Sequence, residues 1–147
     1  MILVGYYYKY SGFQSTNITL KLGVFKQLYS AMKTNIIAER SFAFALSIIR
    51  LYQELQERRE YVLSKQILRS GTSIGANVQE ATAAFSKKDF AYRMSIASKE
   101  TRETHYWLRL LNESQLVDLN LEDIMSDIRE IDRILTSIVK TCHHRNF

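Results

Sequence analysis

Seven side chains in two stretches have the types and spacing that bear on chemistry. In Arg69-Ser70-Gly71-Thr72-Ser73-Ile74-Gly75-Ala76-Asn77-Val78-Gln79-Glu80, counting about 100° per residue puts Ser70, Ser73, Asn77 and Glu80 within an arc of roughly 80°. Leu63, Ile67, Ile74 and Ala81 share that side. Polar groups beside an apolar seam need partners, because each one buried unpaired costs about 1–3 kcal/mol. The row therefore reads as a polar network fixing a helix–helix or subunit contact. Farther along, Glu100 and Glu103 flank a second seam, with Trp107 on the same face. Paired carboxylates can do acid–base work, but no nucleophile, base and orienting group accompany them. The favoured reading is an interhelical network in which they accept from the ladder hydroxyls or from Arg69. No catalytic residue is expected, and the chain is read as not an enzyme.

Metal chemistry fares no better. A di-metal bundle wants Glu-x-x-His pairs on two helices. Glu100 and Glu103 have the spacing, but His105 points elsewhere, and His143 and His144 are adjacent and terminal. No metal, cofactor or small-molecule substrate is expected. Gly71-Thr72-Ser73-Ile74-Gly75 lacks the lysine of a phosphate loop and sits inside a helical pattern. Nucleic-acid contact is the remaining chemistry. Its candidates are Arg58 and Arg59, Lys87 and Lys88, Lys99, Arg102 and Arg109 (the last two seven apart, on a face opposite the seam), and Lys140 with Arg145. A solvated mixed-charge surface is the competing reading.

Four helices would position these groups. The first spans about Ile36 to Gln56, with Phe42, Ala45, Ile49, Tyr52 and Gln56 as its seam; Glu57-Arg58-Arg59-Glu60 connects it onward. The second spans about Tyr61 to Ala84 and carries the ladder. Its Gly71 and Gly75 each weaken a helix by roughly 1 kcal/mol relative to alanine, so they point to close approach of another backbone, or to a kink. Ser86-Lys87-Lys88-Asp89 resembles a capping box, after which Phe90, Met94, Ala97, Thr101, Thr104, Leu108 and Leu111 keep a heptad register. In the fourth helix, starting near Asn120, the seam is Ile124, Ile128, Ile131, Leu135, Ile138 and Cys142. Leu116 and Val117 in the preceding connection are expected to tuck under the end of the bundle. Helices this long with short connections predict an all-α, antiparallel up-down-up-down four-helix bundle.

Composition agrees with helices. Proline is absent and no glycine follows Gly75, which argues against a turn-rich β fold. Net charge is +5, but residues 1–31 supply three lysines and no acid, so the remaining 116 residues carry +2. Residues 1–31 also hold five of the nine tyrosines. They are read as an extension, either a poorly ordered arm or translated sequence upstream of a start at Met32, with 32–147 the bundle domain. The single Cys142 suits a reducing cytoplasm, and no apolar run approaches the ~20 residues that span a bilayer. A cytoplasmic protein without membrane contact is expected.

The stretch Leu68–Ala81, together with Asp89-Phe90, Ile96-Ala97-Ser98-Lys99-Glu100 and Glu103-Thr104-His105-Tyr106-Trp107-Leu108, resembles the bacterial four-helix-bundle proteins encoded in intervening sequences of 23S ribosomal RNA. The resemblance covers about Asn35 to Lys140. The accessory variability protein of diversity-generating retroelements is similar in fold. The resemblance implies a ring-like homopentamer without enzymatic activity, associated with ribosomal RNA or another ribonucleoprotein or reverse-transcriptase complex. A protein-binding scaffold without nucleic-acid contact is the alternative. Residues 1–31 have no counterpart in the family pattern.

Overall fold

The computed structural model describes the backbone of residues 18–144 and the side chains of 35–143. Expectations for residues 1–17 and for Arg145 lie outside the described residues. By backbone contacts the chain divides into two compact units, Met1–Ala31 and Met32–Phe147. Among the described residues there are four helices and no strand: α1 (Ile18–Glu57), α2 (Leu63–Thr82), α3 (Lys87–Ser114) and α4 (Glu122–His144).

The direction of packing follows from paired residues. Gly71 of α2 lies against Ile48 and Gly75 against Ser41, so α1 and α2 run antiparallel. Thr104 meets Ser70 and Arg93 meets Glu80, so α2 and α3 do too. α3 packs on α4, and Arg40 of α1 pairs with Glu130 of α4 at 3.5 Å, which closes the bundle. The two glycines explain the close approach. A Cβ on Gly71 would stand 2.9 Å from Ile48 Cγ1, and one on Gly75 would stand 3.3 Å from the Ser41 carbonyl oxygen. α2 continues through both without a kink in its hydrogen-bonded register.

The seams of α3 and α4 are buried at Met94, Ala97, Thr101, Thr104, Leu108 and Leu111, then at Ile128, Ile131, Leu135, Ile138 and Cys142, while their first expected members, Phe90 and Ile124, are only partly buried against the core. The seam expected for α1 is corrected. Ile37, Ser41, Phe44, Ile48, Leu51 and Leu55 are buried, whereas Phe42 is 66% and Ile49 40% exposed. α1 is apolar on two faces, and the packed face is the one rotated from Phe42 and Ile49. Its helix also begins at Ile18 rather than near Ile36. In the last connection Val117 packs against the core as expected, but Leu116 is exposed and the buried Leu121 takes its place at the bundle end.

The corners are tied by side chains. Arg59 takes φ 62, and Arg59 N–H and Glu60 N–H donate to Gln56 O (3.0 Å) and Leu55 O (2.9 Å). That is a Schellman ending with arginine in glycine's usual left-handed place. Glu60 then caps α2: Oε1 accepts from Val62 N–H (3.0 Å) and Leu63 N–H (2.9 Å), and Oε2 from Ser64 N–H (2.6 Å). Burial pushes its carboxyl up, but the N–H groups of Leu63, Ser64 and Val62, with the Ser64 side chain beside it, outweigh burial and hold it below the usual value. At the start of α3 Ser86 Oγ accepts from Asp89 N–H at 3.1 Å, and Asn120 Oδ1 accepts from Glu122 N–H at 2.9 Å at the start of α4.

Candidate nucleic-acid interface

The polar row of α2 is spread over two settings. Ser70 is fully buried: its hydroxyl donates to Gln66 O (2.9 Å), and the Thr104 hydroxyl lies 2.9 Å from its oxygen and 2.7 Å from Glu100 O. The Ser70–Thr104 pair thus joins α2 to α3 inside the core. Nearer the surface, Glu103 Oε1 accepts from Arg69 and from Trp107 Nε1–H (3.2 Å). Arg69 Nη1 also lies 3.9 Å from Glu100 Oε2, a buried oxygen that accepts no hydrogen bond. Ser73 and Asn77 bond within α2, Asn77 Nδ2–H donating to Ser73 O at 2.9 Å, and Glu80 pairs with Arg93 of α3. Both glutamates of the candidate acid–base pair thus lie beside Arg69.

These pairs also fix how α3 is rotated. Counting about 100° per residue from its buried seam, Glu103, Trp107 and Arg93 mark the flank against α2. The opposite flank, turned to α4, bears Lys88, Arg102 and Arg109, so Arg102 and Arg109 stand beside the seam's α4 side and not opposite the seam. The outward ridge between the flanks bears Tyr92, Lys99 and Tyr106. On α4 the Arg40–Glu130 pair marks the flank toward α1; by the same count Arg129 leans toward α3, while Arg133 and Lys140 stand opposite the buried seam and face outward. Residues 115–121 are too few to carry the chain back along the 28-residue α3, so α4 starts at the end where α3 stops, with Arg129 nearer that end than Lys140. The result is a basic strip over the outer side of the α3–α4 pair, with the groove between the two helices at its middle.

Most of the cations on this side have no ion-pair partner. Among the described residues Lys88, Lys99, Arg102, Arg129, Arg133 and Lys140 have no ion pair, as is also true of Arg50, Arg59 and Lys65 elsewhere, whereas Arg40, Arg58 and Arg109 each have one and Arg69 and Arg93 each have two. Arg109 is held by Glu113 at 3.0 Å. Asp132 lies on the α3-facing flank between Arg129 and Arg133, and its buried Oδ1 accepts no hydrogen bond. Arg58 and Arg59 are not brought to the groove; they stay at the α1–α2 corner, where Arg58 pairs with Glu54 at 3.1 Å. Lys87 opens α3 beside Lys88. Sequence reasoning missed Arg129 and Arg133. Their i, i+4 spacing, with Lys140 seven beyond Arg133, was available as a signal, but only the α3–α4 pairing joins them to Arg102.

A family profile described as 23S rRNA-intervening sequence protein matches residues 33–137. The chain belongs to this family. A solved structure in the same lineage is a protein of unknown function from the S23 ribosomal protein family of Bacteroides thetaiotaomicron VPI-5482. It is 47% identical, with a TM-score of 0.70, over 74% of this chain and 98% of that one. No curated protein sequence matches. The family match spans the ladder, the Arg69–Glu103–Trp107 junction and most of the groove, and stops short of Lys140. Among the described residues of this intervening-sequence family member, no helix is long and apolar enough to cross a membrane, and no cluster of three metal-ligating side chains forms.

Proposed function

We propose that the chain is a non-enzymatic accessory protein that binds RNA along the α3–α4 groove and assembles with copies of itself, five on the family resemblance. The observation that carries this reading is the groove's unpaired cations from two helices. Phosphate backbones supply most of the affinity for such surfaces. The family's name ties its members to intervening sequences of 23S ribosomal RNA, which makes RNA the polyanion of choice and a cytoplasmic ribonucleoprotein its setting. The non-enzymatic part is supported by Arg69, which stands against both carboxylates of the Glu100–Glu103 acid–base candidate.

The test is a salt titration of binding to RNA. Affinity should fall steeply between about 50 and 200 mM salt, and Arg129→Ala with Arg133→Ala should flatten the log–log slope by about 0.7–0.9 for each phosphate that is no longer neutralised. A wild-type protein that binds no RNA at the low-salt end overturns the reading. A second reading, a self-assembling scaffold for proteins alone, is favoured by one observation: Phe42, Leu46 and Ile49 expose an apolar stripe on α1. It predicts assembly without any salt-sensitive RNA binding.

A further inference from the structure

The groove is bordered by more than charge. Tyr92, Lys99 and Tyr106 recur at intervals of seven on the outward ridge of α3, with Lys88 and Arg102 on the groove side of them. Tyr92 is 61% and Tyr106 58% exposed. A single exposed tyrosine needs no explanation. Two on one ridge, interleaved with unpaired cations, match the arrangement by which single strands are held: backbone on the cations, bases on the rings.

Tyr106 is also held in place from behind. Its ring lies 5.0 Å from that of Trp107 at an interplanar angle of 69°. The Trp107 indole N–H is bound to Glu103, and Glu103 is bound to Arg69 on α2. The neighbouring Thr104 meets Ser70 in the core. An aromatic side chain fixed before the ligand arrives loses less freedom on binding.

We infer that Tyr106 is a base-stacking residue for single-stranded RNA, positioned by the Trp107–Glu103–Arg69 chain, with Tyr92 a second platform about 21 Å away along the helix at 1.5 Å per residue. The inference rests on the RNA reading above and narrows it. In duplex RNA the base faces are already stacked, and proteins reach mainly phosphates and 2′-hydroxyls. Only an unstacked base can use the tyrosine face. Arg69 and Glu103 then have a use besides joining two helices: they carry the support for Tyr106.

The experiment compares a single-stranded RNA long enough for one site (about 4–16 nucleotides) with a duplex of the same length, both at low salt. Wild-type protein should prefer the single strand, and binding should change the emission of Trp107, the one tryptophan in the chain. Tyr106→Ala should weaken single-strand binding about 10-fold, leaving the salt slope and the duplex affinity unchanged, while Tyr106→Phe retains binding. Glu103→Ala, which frees Trp107, should weaken the single strand by a smaller factor and leave the duplex alone. If wild type binds RNA and Tyr106→Ala binds the single strand as tightly, the stacking assignment is wrong while the groove stands. If wild type binds neither RNA, the groove reading fails and this one with it.

Discussion

α1 and α4 are both amphipathic partners in one core, yet their outer faces are opposites. Inside, both are aliphatic: Ile37, Phe44, Ile48, Leu51 and Leu55 on one, Ile128, Ile131, Leu135 and Ile138 on the other. Outside, α4 shows no exposed large hydrophobic residue among those described, and turns Arg129, Arg133 and Lys140 to solvent. α1 shows Ile36, Phe42, Leu46 and Ile49. Packing alone asks for one apolar stripe per helix. A second, exposed stripe adds nothing to the packing of the isolated bundle and is the surface on which the assembly proposed above would rest. The bundle thus divides its surface: α1 exposes apolar area, which the proposed assembly would use, and α4 with α3 exposes charge.

The largest effect should come from two neighbouring phenylalanines. Phe44→Ala empties a fully buried site and should cost about 3–5 kcal/mol. Phe42→Ala, two residues away, should change the stability of the dilute monomer by about 0.5 kcal/mol or less. Urea unfolding at low protein concentration measures both. Equal losses would mean that the two faces of α1 are not distinct. At higher concentration Phe42→Ser with Ile49→Ser should abolish self-association by light scattering, whereas Arg129→Ala with Arg133→Ala should leave it intact. A double serine variant that assembles like wild type moves the assembly surface away from α1.

The same contrast explains what could be read in advance. α4 was legible because one stripe at 4,3 spacing leaves one choice of inner face, and α3 likewise, even where Thr101 and Thr104 occupy the seam. α1 was not, because Phe42 and Phe44, and Ile48 and Ile49, offer two registers that satisfy the same rule. Only Gly71 and Gly75 choose between them, and they do so from another helix, by admitting Ile48 and Ser41. Of the candidate site, the sequence held Arg69, Glu103 and Trp107 as a group, since all three bear on one helix contact. The groove needed the rotation of two helices, which no single stretch encodes. Arg59 was hidden for a simpler reason: a left-handed helix ending is normally announced by glycine.

Gly71→Ala probes that choice of register at a smaller scale. Alanine gains roughly 1 kcal/mol of helix propensity, but its Cβ would crowd two carbons of the Ile48 side chain, at 2.9 and 3.0 Å. Overpacking typically costs about 1–3 kcal/mol, so a net loss of about 1 kcal/mol is expected in thermal or urea unfolding. Ile48→Val alongside it should recover part of the loss, because it removes one of the crowded atoms' neighbours. A Gly71→Ala protein more stable than wild type would show that α1 is not pressed onto α2 by this face.

The corner that sets the rotation of α1 gives the smallest and most conditional effect. Glu60 N–H closes the end of α1 while its carboxylate caps α2. Its carboxyl is held below the ordinary value of about 4.3. A depressed folded-state value means that the unfolded chain takes up this proton first as pH falls. The contribution is therefore whole above the unfolded value and fades as pH drops through the folded one. Glu60→Gln should cost about 1 kcal/mol at neutral pH, the usual scale for removing a cap. The gap from wild type should begin to narrow in unfolding experiments as the pH falls below the ordinary value of about 4.3. A gap that stays constant down to pH 3 would assign the loss to shape and not to charge. α1 would then be held in register by the Arg59 turn, with its inner face chosen by Ile48 against Gly71 alone.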